Sequence, residues 1–131
     1  MTGDPAPDAI ERLRALCLAQ PGATERQSHG EPSWFARNGR QFVMFSNHHH
    51  DDRVAFWCAA PPGAQAPLIE SDPARYFRPP YVGHRGWVGV RLDGDADAGV
   101  RGGPDWAEVA EVCEDAYRAI APQSLVTRLD V

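Results

Sequence analysis

Residues 33–45 read SWFARNGRQFVMF. Two β-rich runs, 33–37 and 40–45, flank the dipeptide Asn38-Gly39. Asn-Gly between apolar segments is the strongest short hairpin signal, because a two-residue turn of that kind needs φ > 0 at both positions. A third run, RVAFWCA at 53–59, follows the polar stretch 46–52. Residues 25–28 add a short strand before Gly30, and WVGVRL at 87–92 reads as the last strand. The pattern predicts a meander of antiparallel strands.

Helical signals bracket these strands. Asp8 is placed to cap a helix over 9–19, with Ile10, Leu13, Leu16 and Cys17 at helical spacing and Pro21-Gly22 ending it. Residues 64–70 read as a weak helix, and 72–77 as a helical turn with Pro73 at its first position. Near the end, Trp106, Val109, Ala110, Cys113, Tyr117 and Ile120 form one apolar stripe over 104–121. Asp105, Glu108, Glu111, Glu114 and Asp115 lie off that stripe, and Glu114 can pair with Arg118. Pro122 closes the helix. The expected fold is α+β: a two-layer sandwich in which N- and C-terminal helices cover one face of an antiparallel sheet. Residues 1–7, with two Pro and one Gly, read as a frayed start before a single domain over 8–131.

Composition closes several function classes. All 13 basic residues are Arg, and the 131-residue chain has no Lys. A P-loop needs Lys at the phosphates, and Schiff-base or pyridoxal-phosphate catalysis needs a Lys amine. Net charge is −5, so the chain as a whole lacks the basic footprint of non-specific nucleic-acid binding. Cys17, Cys58 and Cys113 each sit in an apolar run without C-x-x-C spacing. They read as buried, reduced thiols of a cytoplasmic protein. No signal peptide and no membrane span is read, and no cofactor is expected.

Charge is unevenly placed. Residues 73–92 hold four Arg and His84 but no acid, interleaved with Tyr76, Phe77, Tyr81 and Trp87. Aromatic planes among guanidinium groups suit stacked bases and phosphates. Gly83 and Gly86 would let backbone amides approach an anion. The same composition also describes a turn entering a strand, with aromatics toward the core and Arg toward water. The G-x-x-G spacing of 83–86 matches the KH-domain loop, but that loop joins two helices and this one runs into a strand.

Two other clusters carry candidate chemistry. In NHHHDD, residues 47–52, an extended chain would put His48, His50 and Asp52 on one face as metal ligands, or the segment is a polar loop. His29 and Glu31 stand two apart, as a base and partner or as a tight connection.

Together these segments carry a family resemblance. HGEPSW (29–34), SNHHHDDRVAFW (46–57), RYFRPPYVGHRGWVGVRLD (75–93), Asp105-Trp106 and EDAYRAIAP (114–122) resemble the MmcQ/YjbR-like family of small bacterial proteins. The similarity runs from about residue 8 to 128. It implies a fold like that of frataxin and CyaY, and a "double wing" protein described as DNA-binding. Where family members often carry Lys, near the first hairpin and after the last helix, this chain has Arg40 and Arg128. Frataxins bear an acidic ridge on the first helix; this one has only Glu11 within it, so iron binding is not implied. The resemblance implies no catalytic residue set.

The first expectation is therefore a nucleic-acid-binding module using Arg40, Arg78, Tyr81, His84 and Arg85, with DNA as its partner, no membrane, and a monomer or weak dimer. The second is a metal- or small-molecule-dependent protein built around His29, His48, His50 and His84. The third is a protein-interaction adaptor using the acidic C-terminal helix.

Overall fold

The structure is a computed structural model that describes residues 6–47, 54–93 and 103–129. It is α+β. A six-stranded antiparallel sheet runs in the order β1-β2-β3-β4-β6-β5, built from β1 (Thr24–Ser28), β2 (Glu31–Phe35), β3 (Gln41–Asn47), β4 (Val54–Cys58), β5 (Tyr76–Phe77) and β6 (Val88–Arg91). The helices are α1 (Ala6–Leu18), α2 (Gln65–Ser71), α3 (Trp106–Ile120) and α4 (Gln123–Leu129).

Strand register decides which side chains face the helices. Trp34, Val43, Cys58 and Val88 are successive ladder partners, as are Phe45, Phe56, Val90 and Tyr76. Side chains alternate along a strand, so these two rows share one face. Against it pack Leu13 and Cys17 of α1 and Val109, Cys113, Ala116 and Tyr117 of α3, all at most 2% exposed. Phe42 meets Tyr117 edge-on, with ring centroids 5.5 Å apart. Burying this apolar stripe is the main favourable term in holding α3 to the sheet.

Polar clamps set the orientation of the helices. Glu25 on β1 accepts from Arg14 Nε of α1 at 2.8 Å and from the buried Trp34 indole at 2.9 Å. The Tyr117 hydroxyl donates to the Pro21 carbonyl, joining α3 to the turn after α1. Asp105 caps α3 by accepting from the Ala107 amide, and Glu114 pairs with Arg118 at 3.5 Å as the spacing predicts. At the other end of α3, the Asn38 side chain donates to the Ile120 carbonyl. That carbonyl is one of the helix-end acceptors left without an intrahelical donor.

Several local expectations change. α1 starts at Ala6, so Asp8 lies in its first turn and favours the positive end of the helix dipole instead of capping it. Asn38-Gly39 does make a hairpin, but Arg37, Asn38 and Gly39 form a three-residue loop closed by Ala36 and Arg40, and only Gly39 has positive φ. The two-residue turn with both φ values positive falls on His29-Gly30 (53° and 80°), closing β1 onto β2. Tyr76-Phe77, expected in a helical turn, is a two-residue edge strand on β6. α4 follows Pro122 without having been expected.

Candidate nucleic-acid interface

The loop from β5 to β6 is short, and its own backbone hydrogen bonds shape it. Pro79 is buried, and its carbonyl accepts from the Gly83 amide at 3.0 Å. The Pro80 carbonyl accepts from the Val82 amide at 2.7 Å, enclosing Tyr81 at φ 65°. A bond across one residue at positive φ is a γ-turn of the strained kind. Tyr81 is nevertheless 75% exposed. A bulky aromatic side chain is thus held outward on an unfavourable backbone, a cost of about 1–3 kcal/mol that the surrounding loop must sustain.

Residues 83–85 form one 3₁₀ turn, ended by Gly86 at φ 85°. The two glycines do different work. Gly86 supplies the left-handed position. Gly83 is buried, and a Cβ there would lie 2.6 Å from Arg78 Cγ, so it makes room for the Arg78 stem. The amides of Gly83, Arg85 and Gly86 all donate within the loop. The expectation of amides presented to an anion does not hold for these three. What the loop presents is side chains: Arg78, Tyr81, His84 and Arg85 are all exposed.

Arg78 makes no ion pair among the described residues, and Arg85 lies over the Trp87 ring at 5.6 Å from its centroid. The loop is anchored from α2, where the Gln65 side-chain amide donates to the carbonyls of Gly83 and Trp87 at 2.8 and 2.7 Å.

Arg40 lies at the same end of the sheet. It leads into β3, two ladder steps from β6, a lateral spacing of about 10 Å at ~4.8 Å per strand. Arg37, which the sequence reading passed over, is exposed on the same hairpin. An exposed residue beside an Asn-Gly turn was the available signal. The other two Arg of the basic stretch are elsewhere. Arg75 spends its guanidinium on the carbonyls of Arg91, Asp93 and Gly103. Arg91 lies over Phe77 on the sheet face away from α3, 4.4 Å from the ring centroid. Tyr76 and Trp87 are core residues.

The two described histidines, His29 and His84, do not converge. His29 forms the β1–β2 turn at the opposite end of the sheet from His84. His48, His50 and Asp52 lie outside the described residues, and among the described residues no group of three or more His, Cys, Asp or Glu is placed to hold a metal. No described helix is long and apolar enough to cross a membrane.

A family model described as YjbR matches residues 18–119, which takes in the whole sheet, the β5–β6 loop and nearly all of α3. No curated protein and no solved structure matches the chain.

Proposed function

The chain belongs to the YjbR family, and from that premise we propose that it is a nucleic-acid-binding module whose contact surface is the β5–β6 loop with the β2–β3 hairpin beside it. One observation carries the reading: Tyr81 stands outward on a strained backbone, at the tip of a loop with exposed Arg78, His84 and Arg85 and no acid. The guanidinium groups of Arg78, Arg85 and Arg40 meet phosphates, and Tyr81 offers a ring on which an unpaired base stacks. DNA is the partner, and the protein acts as a monomer or weak dimer in a reducing bacterial cytoplasm. The net charge of −5 makes the affinity modest and local, because the rest of the surface repels phosphate.

The test is fluorescence anisotropy of a labelled DNA oligonucleotide, single-stranded and duplex, across a salt series. Each phosphate contact contributes about −0.7 to −0.9 to the slope of log K against log salt. Arg85→Ala is expected to weaken binding and flatten that slope by about one contact. Equal, weak binding by both proteins at every salt concentration overturns the reading.

A further inference from the structure

A cavity of about 620 Å³ opens between α2 and α3, and none of residues 78–87 lines it. That volume lies in the range of about 300–1,000 Å³ that small-molecule sites occupy. Its wall is largely apolar, with Ala60, Pro67, Leu68, Val88 and Val112. Around this wall stand four carboxylates, Asp105, Glu108, Glu111 and Asp115, and among the described residues no cationic side chain lines the cavity. Glu108, Glu111, Val112 and Asp115 recur at helical spacing along α3, so the acids flank an apolar strip instead of facing open water alone.

Two of the acids already have a task. Asp105 caps α3, and Glu108 accepts from the Tyr76 hydroxyl. Glu111 and Asp115 are exposed and make no ion pair among the described residues. Like charges gathered beside low-dielectric apolar walls focus a negative potential, which attracts cations and excludes phosphate and carboxylate ligands. The opposite wall is easily adjusted. α2 has seven residues, includes Pro67 and buries no side chain completely. Few buried contacts mean low local stability, which lets such a wall settle against a bound molecule.

We propose that this groove binds a small organic ammonium ion, an alkyl or arylalkyl amine whose apolar body lies on Leu68 and Val112 and whose charged head sits beside Glu111 and Asp115. The apolar wall alone would accept any hydrophobic solute, and the carboxylates alone would hold any cation weakly. Only a molecule with both parts gains from both. The site is independent of the nucleic-acid reading, and either stands if the other fails.

The experiment titrates the isotope-labelled full chain with phenethylammonium, with phenethyl alcohol as its neutral counterpart and with phenylacetate as an anion. Saturable shifts are expected for the ammonium ion at Leu68, Glu111, Val112 and Asp115, with the alcohol about tenfold weaker and phenylacetate inert. Glu111→Gln with Asp115→Asn, both at exposed positions, should weaken the ammonium ion about tenfold. Leu68→Trp should fill the groove and abolish binding. Three outcomes overturn the proposal: equal binding of the alcohol, shifts centred elsewhere, or an ammonium affinity unchanged in the double variant. Concentration-dependent dimerisation that buries the same residues overturns it as well, since a second copy would then occupy the groove.

Discussion

Gln65 donates its side-chain amide to the Trp87 carbonyl at 2.7 Å, and so joins a lightly packed helix to the point where the basic loop becomes a strand. The same nitrogen serves Gly83. One side chain thereby satisfies two carbonyls on residues that are themselves buried.

Gln65→Leu keeps the size of the side chain and removes both bonds. Leaving buried acceptors unsatisfied costs about 1–3 kcal/mol each when water cannot reach them. A loss of roughly 4 °C in Tm per kcal/mol is expected, together with weaker oligonucleotide binding as residues 83–87 loosen. Calorimetry and anisotropy on the same sample check it. An unchanged Tm would mean that water replaces the amide at no cost.

Tyr81→Gly separates strain from contact. Glycine tolerates the positive φ that Tyr81 adopts, so the Tm should hold steady or rise by a few degrees. Binding of single-stranded DNA should fall by the worth of one stacked base, about 1–3 kcal/mol. A variant that is less stable yet binds as tightly would contradict both halves.

Gly89→Ala tests the face of the sheet away from α3. A methyl group on Gly89 would lie 2.3–2.5 Å from three carbons of the Phe77 ring, which Arg91 covers in turn. Overpacking of this kind costs about 1–3 kcal/mol. In the Phe77→Leu background the penalty should shrink by more than 0.5 kcal/mol, roughly the coupling expected of touching residues. Urea unfolding of the four proteins measures it.

Alkaline pH should weaken the fold. Burial pushes the Cys17 thiol well above its ordinary value, with a hydrogen bond to Cys113 adding to the effect, and burial does the same to Cys58. Burial, and then the bond to Glu108, raises the Tyr76 hydroxyl. The folded chain therefore keeps protons that the unfolded chain releases. Stability is complete below about pH 8.5 and falls as pH rises beyond it, by up to ~1.4 kcal/mol per unit for each group. Urea midpoints from pH 7 to 10.5 reveal the slope. In the native state at pH 8, iodoacetamide should leave Cys17 and Cys58 unmodified.

The parts of this fold that are legible in sequence are those where one physical signal dominates. α3 is legible because its stripe runs unbroken from Val109 to Ile120, and β4 and β6 because their apolar runs are short and bounded. Where two signals compete, the reading slips. Asn38-Gly39 locates a hairpin but not its loop length, which depends on the irregularity between Trp34 and Phe35 in the ladder. Tyr76-Phe77 follows a Pro-led turn, and its strand pairing with β6 is a tertiary fact. At the candidate interface, the exposed Arg78, Tyr81, His84 and Arg85 follow from composition, while the roles of the other residues do not. Gly83 accommodates a neighbouring Arg stem, Arg75 binds carbonyls, and Gln65 reaches the loop from across the chain. None of these leaves a local pattern. The acidic side of α3 reads as a solvated face, and only α2 lying opposite makes it a wall.

The sheet's outermost strands have a consequence for assembly. β5 is two residues long and gives way within one residue to Pro79-Pro80, which have no amide hydrogens to offer. At the far side, β1 consists of Thr24, Glu25, Arg26, Gln27 and Ser28, polar throughout. A neighbouring chain seeking to zip on as a seventh strand finds too little backbone on one flank and no greasy side chain on the other. Partners must therefore approach from the ends or the faces of the sheet, and a concentrated solution of this protein is protected against side-by-side polymerisation.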